Sequence, residues 1–436
     1  MDLQFSGPDP SVRELIAARP ALSMHAQDGL LLDDVPLAAI ADVLGTPTWV
    51  YGAGTIRARL AHLRRAMAPA HIHYAVKAND HLAVLRLMAE GGAGADVVSE
   101  GEMRRALAAG IDPDRIVFSG TGKTRAELAA ALAAGIGQIN AESAAEIDMI
   151  AAAAATTGRI ARVALRINPD VAAGTHDKIS TGRAGDKFGI PWTEATALYA
   201  HAASLPGVEP VGLALHIGSQ IVSTAPYRAA WGRMRELALA LRQAGHRVTR
   251  LDGGGGLGIA YRDEPTVSPE ALAGALREVL GDLDVETMIE PGRWLVAPAG
   301  VLLAGVVLNK EEGGIVVIDA AMNDLARPAM YGAWHGIVPL DAATATLPAS
   351  PRMVAGPVCE SSDIFARDRM LPKLPPDSRV AILDAGAYGA VMSSAYNARP
   401  LAPIAMVDGA RWTTIRERQP LASLWATETI PDFLTG

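Results

Sequence analysis

Cysteine is almost missing from this chain: Cys359 is the only one in 436 residues. A single thiol forms no intramolecular disulfide and cannot build a multi-cysteine metal centre. A reducing, cytoplasmic setting is therefore the expectation. Long basic runs are also missing. The 39 lysines and arginines are outnumbered by 47 acidic residues, giving a formal net charge of -8. That balance argues against an electropositive face for nucleic acid. Apolar runs stay short, as at 300–308 (GVLLAGVVL), well below the roughly 20 residues that span a bilayer. The opening MDLQFSGPDPSVREL carries acidic residues and prolines and no basic stretch ahead of an apolar one, so neither an export signal nor a membrane partner is expected.

What is present is globular. Half of the residues are hydrophobic and 20% are charged, enough for a large core, and the length predicts two domains. The alanine-rich runs AELAAALAAG and MIAAAAATTG carry charges at helical spacing and read as amphipathic helices. From residue 71 the pattern becomes regular. Strand-like runs fall near 72–77, 96–99, 116–119, 137–140, 163–168, 211–217, 248–253 and 285–290. Helical segments such as HLAVLRLMAEGG and EGEMRRALAAG lie between them. Strict alternation of this kind predicts parallel βαβ units, and eight of them predict a closed (β/α)8 barrel rather than an open doubly wound sheet.

After residue 300 the rhythm changes to strand-like segments separated by turns rich in Pro, Gly and Asp. This predicts a mostly antiparallel β domain. The expected organisation is a loosely held N-terminal arm over 1–24, strand contributed to the β domain over 25–50, the barrel over 51–298 and the β domain over 299–436. The early strand near Leu30 is expected to join the β domain, making the barrel an insertion in it.

In such barrels chemistry gathers at the C-terminal ends of the strands. The first strand ends in HYAVKAND with Lys77. An isolated lysine there is most often a snorkelling side chain; in a desolvated pocket its amine becomes available for a Schiff base. The sixth ends in LALHIGSQ with His216 and Ser219, and the seventh in LDGGGGLG. Side-chain-free turns of this kind let backbone amides approach a phosphate. The eighth ends in IEPGRW with Glu290 and Arg293. An amine, a phosphate nest and a buried acid suit one ligand, pyridoxal 5'-phosphate. The amine tethers it, the glycines hold its phosphate and the acid keeps its ring cationic.

The motifs HYAVKAN, GADVVSEGE, KISTG followed by KFG, HIGSQ, GGGLG, EPGR, GPVCES and GAYG occur in this order. In this the chain resembles the fold-type III pyridoxal-phosphate decarboxylases, and among them the diaminopimelate decarboxylases, from about residue 28 to 418. The resemblance implies that Lys77 tethers the cofactor and that His216 stacks on its ring. It implies that Ser219, Gly254, Gly255, Gly256, Gly292 and Arg293 hold its phosphate, and that Glu290 faces the pyridine nitrogen. Cys359 is implied as the proton donor, and Tyr388 lies near cofactor and substrate. Arg293, Arg327, Tyr331 and Glu360 are implied as substrate-binding. Physically, two arginines and a hydroxyl suit a distal carboxylate, and a glutamate suits its ammonium. The implied reaction converts meso-2,6-diaminopimelate to L-lysine and CO2 in lysine biosynthesis. The implied assembly is a symmetric homodimer with Cys359 and Glu360 acting in trans. One departure is Ser361 and Ser362, where glycine is common.

Three rivals stand beside this reading. A decarboxylase of the same fold acting on D-ornithine, D-lysine or carboxynorspermidine has no use for arginines at the distal end. An amino-acid racemase typically sets an arginine, not an acid, against the pyridine nitrogen, so Glu290 argues against it. A cofactor-carrying protein without catalysis leaves Cys359, Glu360 and the β domain without purpose.

Overall fold

In a computed structural model, residues 8–172, 181–182, 185–310 and 314–434 are described. The eight alternating runs form the strands His71–Ala75, Gly94–Val97, Ile116–Phe118, Gln138–Ala141, Ala161–Asn168, Val208–Ala214, Arg250–Asp252 and Glu286–Ile289. They pair in parallel in chain order, and the eighth pairs with the first, so the sheet closes into a barrel. The second, third and fourth strands are buried at every position. Burial on both faces is why the third, Ile-Val-Phe, is apolar throughout, while the second and fourth carry Asp96, Gln138 and Asn140 into the interior.

Polar residues just ahead of the helices start them. Ser99, Thr124, Ser143 and Ser268 each accept a backbone N–H three residues on, satisfying one of the donors a helix N-terminus leaves open. The helices then press an apolar face inward, as with Val84, Leu85, Leu87 and Met88 of Leu82–Glu90.

Ile56–Val296 forms one compact unit, and the described residues of Ser6–Thr55 and Ala297–Gly436 form another. In chain order the barrel is inserted in the second unit. That unit is built on the long strand Gly300–Lys310, antiparallel to Thr48–Gly52, Ile315–Ile318 and Arg379–Ile382. Ala349–Ala355 and Ile364–Pro372 extend one edge, and Ile404–Asp408 and Arg411–Arg416 extend the other. Two pairings in the sheet are parallel and the rest antiparallel. Leu30, Leu37, Ile40, Val50, Leu303, Val338 and Leu383 meet in its core.

The strand near Leu30 belongs to the second unit, and Leu30 lies in its core. The strand at Leu30 does not join the large sheet. Gly29–Leu32 pairs with Leu22–His25 and Val35–Pro36 in a small sheet of its own. The tight turn before Gly29 brings a local partner closer than any distant one, and it is Thr48–Gly52 that enters the large sheet. The stretch from Ser11 is not loosely held either. Ser11 and Glu14 form a capping box on helix Val12–Ala17, Leu15 enters the core, and Arg19 is ion-paired with buried Asp384. Residues 1–7 lie outside the described residues.

Candidate active site

Lys77 stands two residues beyond the first strand, in a short 3-10 turn, Val76–Ala78. Its Nζ lies 3.1 Å from Asp96 Oδ2 on the second strand, and Asp96 is fully buried. A cavity of about 400 Å³ opens there, lined among others by Lys77, Ser119, Asn140, Arg166, His216 and Glu290. All of these belong to the barrel unit.

His216 follows the sixth strand. Its Nδ1 accepts the Gly255 N–H at 3.2 Å, which leaves the proton of the neutral ring on Nε2. Burial, reinforced by Lys77 and Arg166, holds its pKa well below the usual histidine range. The ring is therefore neutral and fixed in one tautomer.

The glycine turn after the seventh strand is shaped by its neighbours. Gly254 and Gly256 have φ of +72° and +96°. A Cβ on Gly254 would run into the Leu215 carbonyl, one on Gly255 into the Glu290 carbonyl and one on Gly256 into the Gly218 carbonyl. Only glycine fits this close backbone approach. The Gly254 N–H is donated to Asp252 Oδ1 at 2.9 Å. Two of the three amides thus serve to hold the turn itself. Arg293 extends from the eighth strand's exit to the same place, with Nη2 3.0 Å from Ser219 Oγ and Nη1 2.8 Å from the Tyr261 hydroxyl.

Glu290 is 5% exposed, and its Oε1 has no hydrogen-bond partner among the described residues. Burial and the nearby Asp252 and Asp96 raise its pKa well above the usual carboxylate range, against the pull of Lys77. Burial likewise pushes Asp252 up to about 6. Three buried acids thus face one lysine. A cationic ligand placed beside Glu290 would oppose the upward shift of its carboxyl.

The barrel brings together Lys77, His216, Ser219, Gly254, Gly255, Gly256, Glu290, Gly292 and Arg293. Reading the strand ends missed Asp96, Asp252 and Arg166. Each is a charged side chain within a barrel strand, buried despite its charge, and its place in a strand was the available signal. Arg166 is held by Glu142 at 2.7 Å and lies 5.0 Å over the Phe188 ring. Of the KISTG motif, Lys178, Ile179 and Ser180 lie outside the described residues.

The other candidates belong to the second unit, where three motifs are knitted together. Asp363 accepts the N–H of Val358 and of Met322, each at 2.7 Å, which ties the GPVCES loop to the DAAMND segment. Asn323 and Ser394 bond to each other's carbonyls, tying that segment to the one following GAYG. Cys359 is exposed, and its N–H is held by Asn397 Oδ1 at 3.1 Å. Glu360 accepts the Tyr396 hydroxyl at 2.6 Å. Tyr388 has a φ of +54°, a strained backbone for a bulky residue. Arg327 opens the helix Arg327–Tyr331, is 6% exposed, and approaches His335. Tyr331 closes the same helix and is half-buried.

Residues 53–297 match the pyridoxal binding domain of pyridoxal-dependent decarboxylases. The chain is 45% identical over 414 residues to the diaminopimelate decarboxylase of Zymomonas mobilis, covering 93% of this chain and 98% of that one. The crystal structure of diaminopimelate decarboxylase from Helicobacter pylori complexed with L-lysine superposes with a TM-score of 0.87. It is 38% identical and covers 90% of this chain and 98% of its own. That of M. jannaschii in co-complex with L-lysine gives a TM-score of 0.90 at 34% identity, over 95% and 99% of the two chains. A closed barrel with a lysine, a neutral histidine and a buried acid at its mouth, together with this likeness along nearly the whole length, has one reading: the chain belongs to the diaminopimelate decarboxylase family of pyridoxal-dependent decarboxylases.

Proposed function

We propose that this chain removes CO2 from meso-2,6-diaminopimelate to give L-lysine, with pyridoxal 5'-phosphate held in the barrel mouth. The observation that carries this reading is the buried Oε1 of Glu290, which accepts no N–H among the described residues, beside Asp252 and in a cavity that also presents Lys77. A protonated pyridine nitrogen is the donor such an oxygen needs. The glycine turn, which no side chain can enter, suits a phosphate at the other end.

In this reading the Lys77 amine holds the cofactor covalently, and its present partner Asp96 keeps that amine in place beforehand. His216, neutral and fixed, stacks on the ring. Ser219, Gly256, Gly292 and Arg293 hold the phosphate, with Gly254 and Gly255 giving the turn its shape. When bound, the cofactor supplies an electron sink for the carbon that loses CO2. Cys359 delivers a proton from Sγ to that carbon. Tyr388 packs against cofactor and substrate. At the distal end Arg327 and Tyr331 meet the carboxylate, joined by Arg293, and Glu360 meets the ammonium. The L-lysine named with the Helicobacter pylori and M. jannaschii structures retains that distal amino-acid end, which fits product binding here.

Cys359 and Glu360 act in the site of a partner subunit, so the working form is a symmetric homodimer, and it works in the cytoplasm. The test is CO2 release by the pyridoxal-phosphate-loaded protein. Turnover of meso-diaminopimelate with L-lysine as product is expected. Preference for D-ornithine, D-lysine or carboxynorspermidine, or racemised product without CO2, would overturn the substrate assignment.

A further inference from the structure

We infer that His335 is a positioning residue for substrate recognition: as a neutral acceptor it aims the Arg327 guanidinium. The inference rests on the proposed role of Arg327 at the distal carboxylate. Arg327 and His335 bracket a short loop that leaves the helix Arg327–Tyr331 through Gly332, whose φ is +60°. The loop runs into the strand Ile337–Pro339. That strand pairs antiparallel with Arg379–Ile382, so the carbonyl of Leu383, just past the latter, comes to rest beside the His335 ring. His335 Nδ1 lies 2.7 Å from that carbonyl oxygen, and Nε2 lies 2.6 Å from Arg327 Nη1.

The chemistry of these contacts fixes the proton. A carbonyl oxygen can only accept, so Nδ1 carries the hydrogen. A guanidinium can only donate, so Nε2 is bare and accepts. The ring is neutral in this arrangement and is 1% exposed. Its backbone is pinned as well. The His335 carbonyl accepts from Arg369, whose guanidinium lies 4.1 Å over the Trp334 ring.

The choice of acceptor matters. A carboxylate at position 335 would orient Arg327 equally well but would neutralise it, and a substrate carboxylate would then compete with a resident one. An imidazole nitrogen directs one N–H without itself bringing a neutralising charge. Such an arrangement presents a pre-aimed cation to an incoming anion, which lowers the ordering cost of binding.

The experiment is a set of steady-state measurements on the pyridoxal-phosphate-loaded full chain with meso-diaminopimelate. His335→Leu, with neither polar contact, is expected to raise KM about tenfold while kcat changes less than about threefold. His335→Gln, which offers an acceptor and a donor at similar reach, is expected to return KM to within about threefold of the parent. In an Arg327→Ala background His335→Leu is expected to add little further, because the pair acts as one unit. Parental KM in His335→Leu, equal losses in the Leu and Gln variants, or additive losses in the double variant would each overturn the inference. His335→Phe keeps a ring without either nitrogen and replaces His335→Leu if that variant does not fold. Arg327→Ala alone tests the underlying reading: a parental KM there removes the role of Arg327 itself, a result distinct from failure at His335.

Discussion

Glu290 concentrates the physics of the site in one residue. It is a carboxyl group buried beside two more carboxylates, Asp252 and Asp96, with Lys77 as the nearby cation. Its pKa in the folded protein lies above its unfolded value, so the folded form binds the extra proton. Stability from this group is fully present below the unfolded value near 4.5 and is lost as pH rises through the raised folded value. Cofactor-free protein should therefore weaken as pH climbs from about 4.5 towards 8. Glu290→Gln, which never ionises, should escape part of that loss. We expect the variant to melt above the parent at pH 8, by about 1 kcal/mol or more, with the gap closing near pH 4. Thermal melts of both proteins without cofactor across that range measure it, and a pH-independent gap would show that the acid is not the cause. The same variant should hold cofactor with altered absorbance and lose most turnover. Cys359 makes a contrasting case. It is exposed and outside the barrel unit, so Cys359→Ala should slow turnover at least about a hundredfold, as expected for a lost general acid. Cofactor absorbance should stay parental; equal losses in both would mark a structural cysteine.

The strand ends and the turns after them decide how well these residues can be used. Gly256 has φ +96° and its Cβ direction is blocked by the Gly218 carbonyl. Gly256→Ala should therefore move the turn away from Ser219 and Arg293 and weaken cofactor binding by about tenfold or more. The far-UV circular dichroism should be unchanged, because the eight strands lie outside the turn. A cofactor titration measures this, and parental affinity would remove the glycine turn from the cofactor site. At this scale much was legible in the sequence. The regular alternation of strand-like and helical segments was the signal, and all eight barrel strands lie at or within about three residues of their expected places. The differences have local causes. Lys77 sits in a 3-10 turn instead of on the strand, because the backbone bends as Ala75 N–H bonds to the Pro291 carbonyl. Asp96 and Asp252 were not singled out, because their meeting depends on barrel closure. Ala75 pairs with Asp96, and Asp252 pairs with Met288 two residues before Glu290. No spacing along the chain encodes those neighbours. His335 was hidden for the same reason: its partner Leu383 is distant in sequence and is brought close by the strand pairing of the second unit.

At the scale of the whole molecule, the chain folds as two units, and the chemistry-bearing residues divide between them. Lys77, His216 and Glu290 lie in one, and Cys359, Glu360, Arg327 and Tyr388 in the other. The chain order of that division was readable from the change of rhythm at residue 300 and from the early strand. Which early segment enters the large sheet was not, because Thr48–Gly52 and Gly29–Leu32 are both short apolar runs and only the local hairpin separates them. The proposed sharing of Cys359 across a homodimer has a consequence that no single-subunit site can produce. Lys77→Ala and Cys359→Ala proteins should each be nearly inactive alone. Mixed in equal amounts and allowed to exchange subunits, half of the dimers become heterodimers. In each heterodimer one site collects both defects and the other collects none, so the mixture should regain about a quarter of parental activity. If Cys359 served the barrel of its own subunit, every site in every dimer would carry one defect. The mixture would then stay as inactive as its parts. Activity measured against time after mixing distinguishes the two, with subunit exchange followed independently by native mass spectrometry of the two differently tagged proteins.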